Sequence, residues 1–353
     1  MYSERLFLFI IWQFDGERTV SGIYHLLKGK KTSQSIQDSY LYHLHMLYHS
    51  CEDVDRQEIW TLIRQIHANG WIRPIDANGT RFVLSTSGNE KLQQMNAQLL
   101  LPDALYMTND LMHEGQFWLR LQLLIQTVSA LNDQQSSFLP ITKQSSVTEY
   151  VRHVLLSSHL NRAQLKKRLY QEMYCLLAGI PVAEANCLAA QLSGARMSGL
   201  TLKQIANETE KDLFECRILF KSALRRMMNR VSEHEQDFPI IRSLWTSSEN
   251  GLSSTAHETL ELLRSGLSIQ EAAVHRKLAP GTIEDHLVEI VLKNQTFDLS
   301  DFMDHALEQS ILDCAREANT KKLKEIKRRL HDKASYLQIR LVLAKHAGEV
   351  VVL

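Results

Sequence analysis

Apolar positions recur three and four residues apart through most of the chain, the period of helices that bury one face. Leu6–Phe14 and Thr19–Leu27 read as two such helices, the second started by Thr19 and ended by Gly29. After the basic turn Lys28–Lys31, the stretch Ser39–His49 carries apolar and aromatic residues at helical spacing. Asp55 and Glu58 form a start signal for a helix to Asn69, with Ile59, Leu62, Ile63 and Ile66 on its inner face and Gly70 ending it. The period then shortens. Trp71–Ile75 and Arg81–Ser85 are short strand candidates around Asp76-Ala77-Asn78-Gly79, a hairpin turn with Asn-Gly inside it. Helices followed by a two-stranded hairpin is the order of a winged helix, expected over residues 1–95.

Helical periodicity resumes from Met95 to Leu131, read as a helical connector over 96–131, and the polar stretch Asn132–Ser146 with Pro140 reads as a linker. A middle helical domain is expected over 147–231. A second break, Ser232–Ser254, contains Pro239 and Gly251, and a C-terminal helical domain is expected over 255–345. The fold class is therefore mainly α: an N-terminal winged helix with a small β-hairpin wing, then helical domains containing helix-turn-helix units. Only 6 prolines and 14 glycines in 353 residues favour helix in the same way.

The two later domains echo each other. Ser198-Gly199-Leu200-Thr201-Leu202-Lys203-Gln204-Ile205-Ala206 aligns with Ser265-Gly266-Leu267-Ser268-Ile269-Gln270-Glu271-Ala272-Ala273, an offset of 67 residues. In each copy Gly precedes a helix capped by Thr or Ser, and after a turn comes a second helix with apolar residues four apart (Cys216 and Phe220; Ile283 and Leu287). That is the pattern of a helix-turn-helix.

Charge narrows the function classes. Lys+Arg and Asp+Glu are 40 each, so nucleic-acid affinity has to come from local clusters. The run Leu6–Trp12 is too short to span a bilayer and lacks a cleavage site, so no membrane span or signal peptide is expected. Cys51, Cys175, Cys187, Cys216 and Cys314 are scattered and never spaced Cys-x-x-Cys, which suits a reducing cytoplasm and argues against a zinc ribbon. His43, His45 and His49 lie near Cys51, but no second cysteine or carboxylate spacing completes a ligand set. No catalytic residues, cofactor, metal or small-molecule substrate are expected.

Two segments resemble known modules. Residues 6–92, through Ser39–Tyr48, Arg56-Gln57-Glu58-Ile59-Trp60 and Gly70-Trp71-Ile72, resemble the winged helix in the C-terminal region of RecQ-family helicases. Residues 255–344 resemble the helix-turn-helix module appended to such helicases, through Gly266–Ala273, Thr282–Leu287 and the tail Tyr336–Ala344. The length and order as a whole resemble the YpbB family of helix-turn-helix proteins. The helicase motor is missing. Gly29-Lys30-Lys31-Thr32 is only a fragment of a phosphate loop, with Tyr24 where its first Gly belongs, and the four zinc cysteines are absent. The resemblance implies a non-catalytic, cytoplasmic and nucleoid-associated factor that binds DNA and works with a RecQ-type helicase in recombination or repair. The alternatives are a sequence-specific transcriptional regulator and a protein-interaction scaffold without DNA binding.

Phosphate contacts require Lys and Arg. In the winged segment the candidates are Arg56 and Arg64, with Gln65 beside them, and Arg73 and Arg81 on the wing. In the middle domain Arg217, Lys221 and Arg225 lie four apart on one helix flank, with Arg226 across it. In the C-terminal domain Lys324 and Arg328 belong to a basic helix. The recognition-like helix there carries Glu284, Asp285 and Glu289, which would repel phosphates, so packing or protein docking is the expected role of that unit.

Overall fold

A computed structural model describes residues 1–94, 101–107, 113–133, 138–245, 252–294, 296–318 and 320–347. Its contacts divide the chain into two compact units, Met1–Arg5 with Asn96–Ser247, and Leu6–Met95 with Ser248–Leu353. The chain is mainly helical, and among the described residues the only sheet is a two-stranded antiparallel hairpin.

The first segment contains α1 (Tyr2–Phe14), α2 (Val20–Lys28), α3 (Ser33–Leu41) and α4 (Arg56–Ala68), then β1 (Ile72–Pro74), β2 (Phe82–Leu84) and α5 (Thr86–Gln94). Leu6 to Ile11 are all buried. A helix apolar on every side belongs inside a core, so the N-terminal apolar run is a packing element. Gly29 ends α2 at φ 72°, and a Cβ there would lie 2.2 Å from the His49 ring, so both backbone and neighbour require glycine. Asp55 and Glu58 form the expected reciprocal cap on α4, whose buried residues are Ile59, Leu62, Ile63 and Ile66. The expected helix over Ser39–His49 is different in outline. The helix begins earlier, where Thr32 accepts from the Ser35 N–H, and ends at Leu41, because His43 turns to φ 53°. A single 3₁₀ turn, His45–Leu47, follows.

In the hairpin Ile72 pairs with Leu84, Arg73 with Val83 and Pro74 with Phe82. Asp76 organises its turn, accepting from the Thr80 and Arg81 backbone N–H groups at 2.8 and 2.9 Å. These bonds hold its carboxyl below the usual carboxylate range, the Thr80 hydroxyl contributing most.

The inserted unit runs through α6 (Glu114–Asn132), α7 (Ser145–Ser157), α8 (Arg162–Ala178), α9 (Val182–Ala189), α10 (Leu202–Glu208), α11 (Leu213–Glu233) and α12 (Pro239–Arg242). Helix α6, which lies within the expected connector, supplies Phe117, Leu121, Leu123, Leu124 and Val128 to this unit's core. The expected break after residue 231 contains α12, whose Ile240 and Ile241 N–H groups donate to buried Glu172 of α8. A carboxylate at a helix N-terminus satisfies donors that the helix itself cannot.

The last segment contains α13 (Ser254–Arg264), α14 (Ile269–Arg276), α15 (Pro280–Lys293), α16 (His305–Glu317), α17 (Leu323–Arg329) and α18 (Tyr336–Lys345). Helix α15 packs on α13, α14, α18 and also on α3, so the first and last segments share one core. The seam is polar. Arg340 donates to Asp285 at 2.7 Å and to Gln37 at 3.1 Å. Glu17 accepts from Tyr42 and Thr320, both at 2.6 Å. Lys321 reaches the Leu41 carbonyl and stands over the Tyr42 ring.

Candidate nucleic-acid interface

The sequence echo is a structural repeat. Thr201 caps α10 with Gln204 in reciprocal bonds, and Ser268 caps α14 with Glu271 in the same way. Each turn is closed at the same place, by Lys211 N–H to the Ala206 carbonyl and by Leu278 N–H to the Ala273 carbonyl. Helices α11 and α15 then begin at Leu213 and Pro280, again 67 residues apart.

Neither second helix is presented to solvent along its length. In α15, Ile283, Leu287, Val288, Ile290, Val291 and Leu292 are buried, and no residue from Thr282 to Lys293 is exposed. Two of its acidic residues have partners within the fold. Asp285 pairs with Arg340, and Glu289 accepts from the Ser253 N–H and hydroxyl. His286 meets Thr259 at 2.8 Å, and burial together with nearby Arg276 lowers its pKa. This helix packs through its apolar residues along its length.

Three of the four middle-domain candidates require a correction. Arg217, Lys221 and Arg225 are 3%, 1% and 2% exposed, so they cannot form the solvent-facing flank that the spacing implied. Lys221 and Arg225 both donate to buried Glu114, at 3.0 and 2.7 Å, and Arg225 also donates to the Leu105 carbonyl at 2.6 Å. Helix α11 is enclosed on several sides, so Lys221 and Arg225 are matched internally by a carboxylate from α6. Arg226, at the edge, lies between Asp103 and Glu184.

The first segment is different. Arg56 and Arg64 are exposed on the outer face of α4 with Gln57, Thr61 and Gln65, and Arg73 is exposed on β1. Arg56 also lies over the Tyr24 ring at 4.9 Å. Arg81 is half-buried and lines a cleft of about 530 Å³ with Arg18, Lys322 and Lys324. Arg18 is neutralised there by a two-point bond to Asp38. Lys324 is exposed, whereas Arg328 is tied, with Arg329, to Glu325. These two guanidiniums lower the Glu325 carboxyl to about 2. The histidines near Cys51 have other neighbours: His45 stacks on Tyr40 and His49 lies 3.5 Å from Glu52. Among the described residues no helix is long and apolar enough to cross a membrane.

Comparison with known proteins agrees with the C-terminal geometry. Residues 255–343 match a helix-turn-helix domain family. The chain as a whole is similar to Protein YpbB of Bacillus subtilis (strain 168), 27% identical over 350 residues that cover 99% of this chain and 98% of that protein. No solved structure matches.

Proposed function

We propose that this chain, with a helix-turn-helix domain at 255–343 and a close match in length to Protein YpbB, is a non-catalytic DNA-binding accessory factor that acts with a RecQ-type helicase in recombination or repair. The observation that carries this reading is the division of labour between its basic helices. Lys221 and Arg225 of α11 are paired internally with Glu114, while Arg56, Arg64 and Arg73 are turned to solvent, where they can meet phosphates. Helix α4 followed by its hairpin supports a winged-helix mode of contact, with α4 offered to a groove and the hairpin to the backbone beside it. A regulator reading one operator through α15 is disfavoured, because only Pro280 and Gly281 of that helix are exposed. The factor would bring no nucleotide-driven motor of its own, consistent with the missing phosphate loop.

The test is a titration of the full chain with duplex, forked and single-stranded DNA at two salt concentrations, with and without a RecQ-type helicase. Sequence-independent, salt-sensitive binding is expected, with a gain in forked-DNA binding or unwinding when both proteins are present. Arg56→Glu with Arg64→Glu and Arg73→Glu should flatten the salt slope by about one for each phosphate no longer neutralised. Absence of DNA binding at low salt would overturn the reading.

A further inference from the structure

We infer that the outer face of α8 is a stacking platform for single-stranded nucleic acid. Its inner face holds Leu165, Leu169, Met173 and Leu176 in the core. On the opposite side Tyr170 and Tyr174 are 68% and 64% exposed, with ring centroids 6.2 Å apart and planes only 23° from parallel. Residues four apart share one helix face, so the two rings stand side by side along the axis. Lys166 and Lys167, both exposed, lie one turn earlier, Lys166 in the same four-residue row as the tyrosines and Lys167 beside it. Exposed aromatic rings with no core to join mark interaction surfaces.

Charge selects the partner. Helix α8 contains Arg162, Lys166, Lys167 and Arg168 but a single acid, Glu172. Glu172 is 2% exposed and turned inward, where it accepts from Arg168 and from the backbone of α12. The outer face therefore offers two aromatic planes and flanking ammonium groups without a carboxylate. Successive unstacked bases have π-faces for the rings and phosphates for the lysines, and such recognition tolerates any base sequence. A duplex keeps its bases stacked on each other and gives the rings nothing to take. The choice of DNA over RNA as the strand rests on the function proposed above, whereas the stacking chemistry does not.

The experiment uses the full chain and a fluorescein-labelled 15-mer of thymidine, followed by anisotropy at low and moderate salt, with a duplex of equal length measured in parallel. Tyr170→Ala with Tyr174→Ala should weaken binding of the thymidine oligomer roughly tenfold or more and leave duplex binding unchanged. Tyr170→Phe with Tyr174→Phe should retain wild-type affinity, since the rings and not the hydroxyls are used. Lys166→Glu with Lys167→Glu should weaken binding and flatten its salt dependence. Equal binding of the oligomer by the wild-type and the double-alanine chains overturns the proposal, as does failure of the wild type to bind the oligomer while it still binds duplex. Absence of duplex binding by the wild type, with the oligomer still bound, would count against the groove contact proposed above for α4 and leave the platform standing.

Discussion

Glu210 and Lys277 hold the same left-handed backbone, at φ 52° and φ 54°, at equivalent points of two helix-turn-helix copies. Neither is a glycine, although this conformation crowds a Cβ. The turn between the paired helices requires it, and both copies bear its cost. Lys277→Gly should leave stability unchanged or raise it by up to about 1 kcal/mol, whereas Lys277→Ile should lower it by about 1–2 kcal/mol, since a β-branched side chain tolerates the region worst. Thermal unfolding of the two variants checks the order.

Glu114 is the shared counter-ion of Lys221 and Arg225 in the interior of the inserted unit. Removing one partner of a buried ion pair leaves the others uncompensated, so Glu114→Ala should cost about 3–5 kcal/mol in urea unfolding. Charge reversal at Arg225 should unfold the unit instead of revealing a DNA contact. Glu325→Ala, which releases exposed Arg328 and Arg329, should leave the unfolding midpoint where it is.

Lys321 is buried against the Leu41 carbonyl, and burial pushes its ammonium down to about 8, against the pull of Glu17. In the unfolded chain it titrates near 10.4. Between these values the unfolded state holds more protons, so its contribution makes stability rise as pH rises from about 8 to about 10.4. Below that window its burial penalty is constant. The difference in unfolding free energy between the wild type and Lys321→Met should therefore change across this window and be flat from pH 6 to 7.

Arg340 joins the last helix to two others, through Asp285 on α15 and Gln37 on α3. Arg340→Ala should destabilise the chain by about 1–3 kcal/mol. A double-mutant cycle with Gln37→Ala should show coupling on the order of 0.5–1.5 kcal/mol. Zero coupling would mean that the Arg340–Gln37 bond adds nothing to the cohesion of the two segments.

Local features were legible in the sequence because local rules govern them. The capping residues Thr201, Ser268 and Asp55, the inner face of α4 and the Asn-Gly turn all follow from spacing within a few residues. The fates of the cations did not follow. Arg225 looks like any arginine on an amphipathic flank, and its partner Glu114 lies 111 residues earlier on another helix. Ser35, Gln37 and Asp38 are polar, yet they are buried, and Gln37 meets Arg340, 303 residues away. Tyr170 and Tyr174 fit helical spacing as core residues would, and only their exposure separates them from Leu169 and Met173.

The shared core of Leu6–Met95 and Ser248–Leu353 sets a schedule for biosynthesis. About 150 residues separate the two segments, so at roughly 5–20 residues per second the first waits on the order of 10–30 s for its partner to emerge. During that interval α3 faces water without α15 or α18 upon it. Of its five buried side chains four are serine, glutamine and aspartate, with Leu41 the one apolar member, and water satisfies the polar ones. A mostly polar face on α3 thus leaves little apolar surface of that helix open while the ribosome delivers the rest.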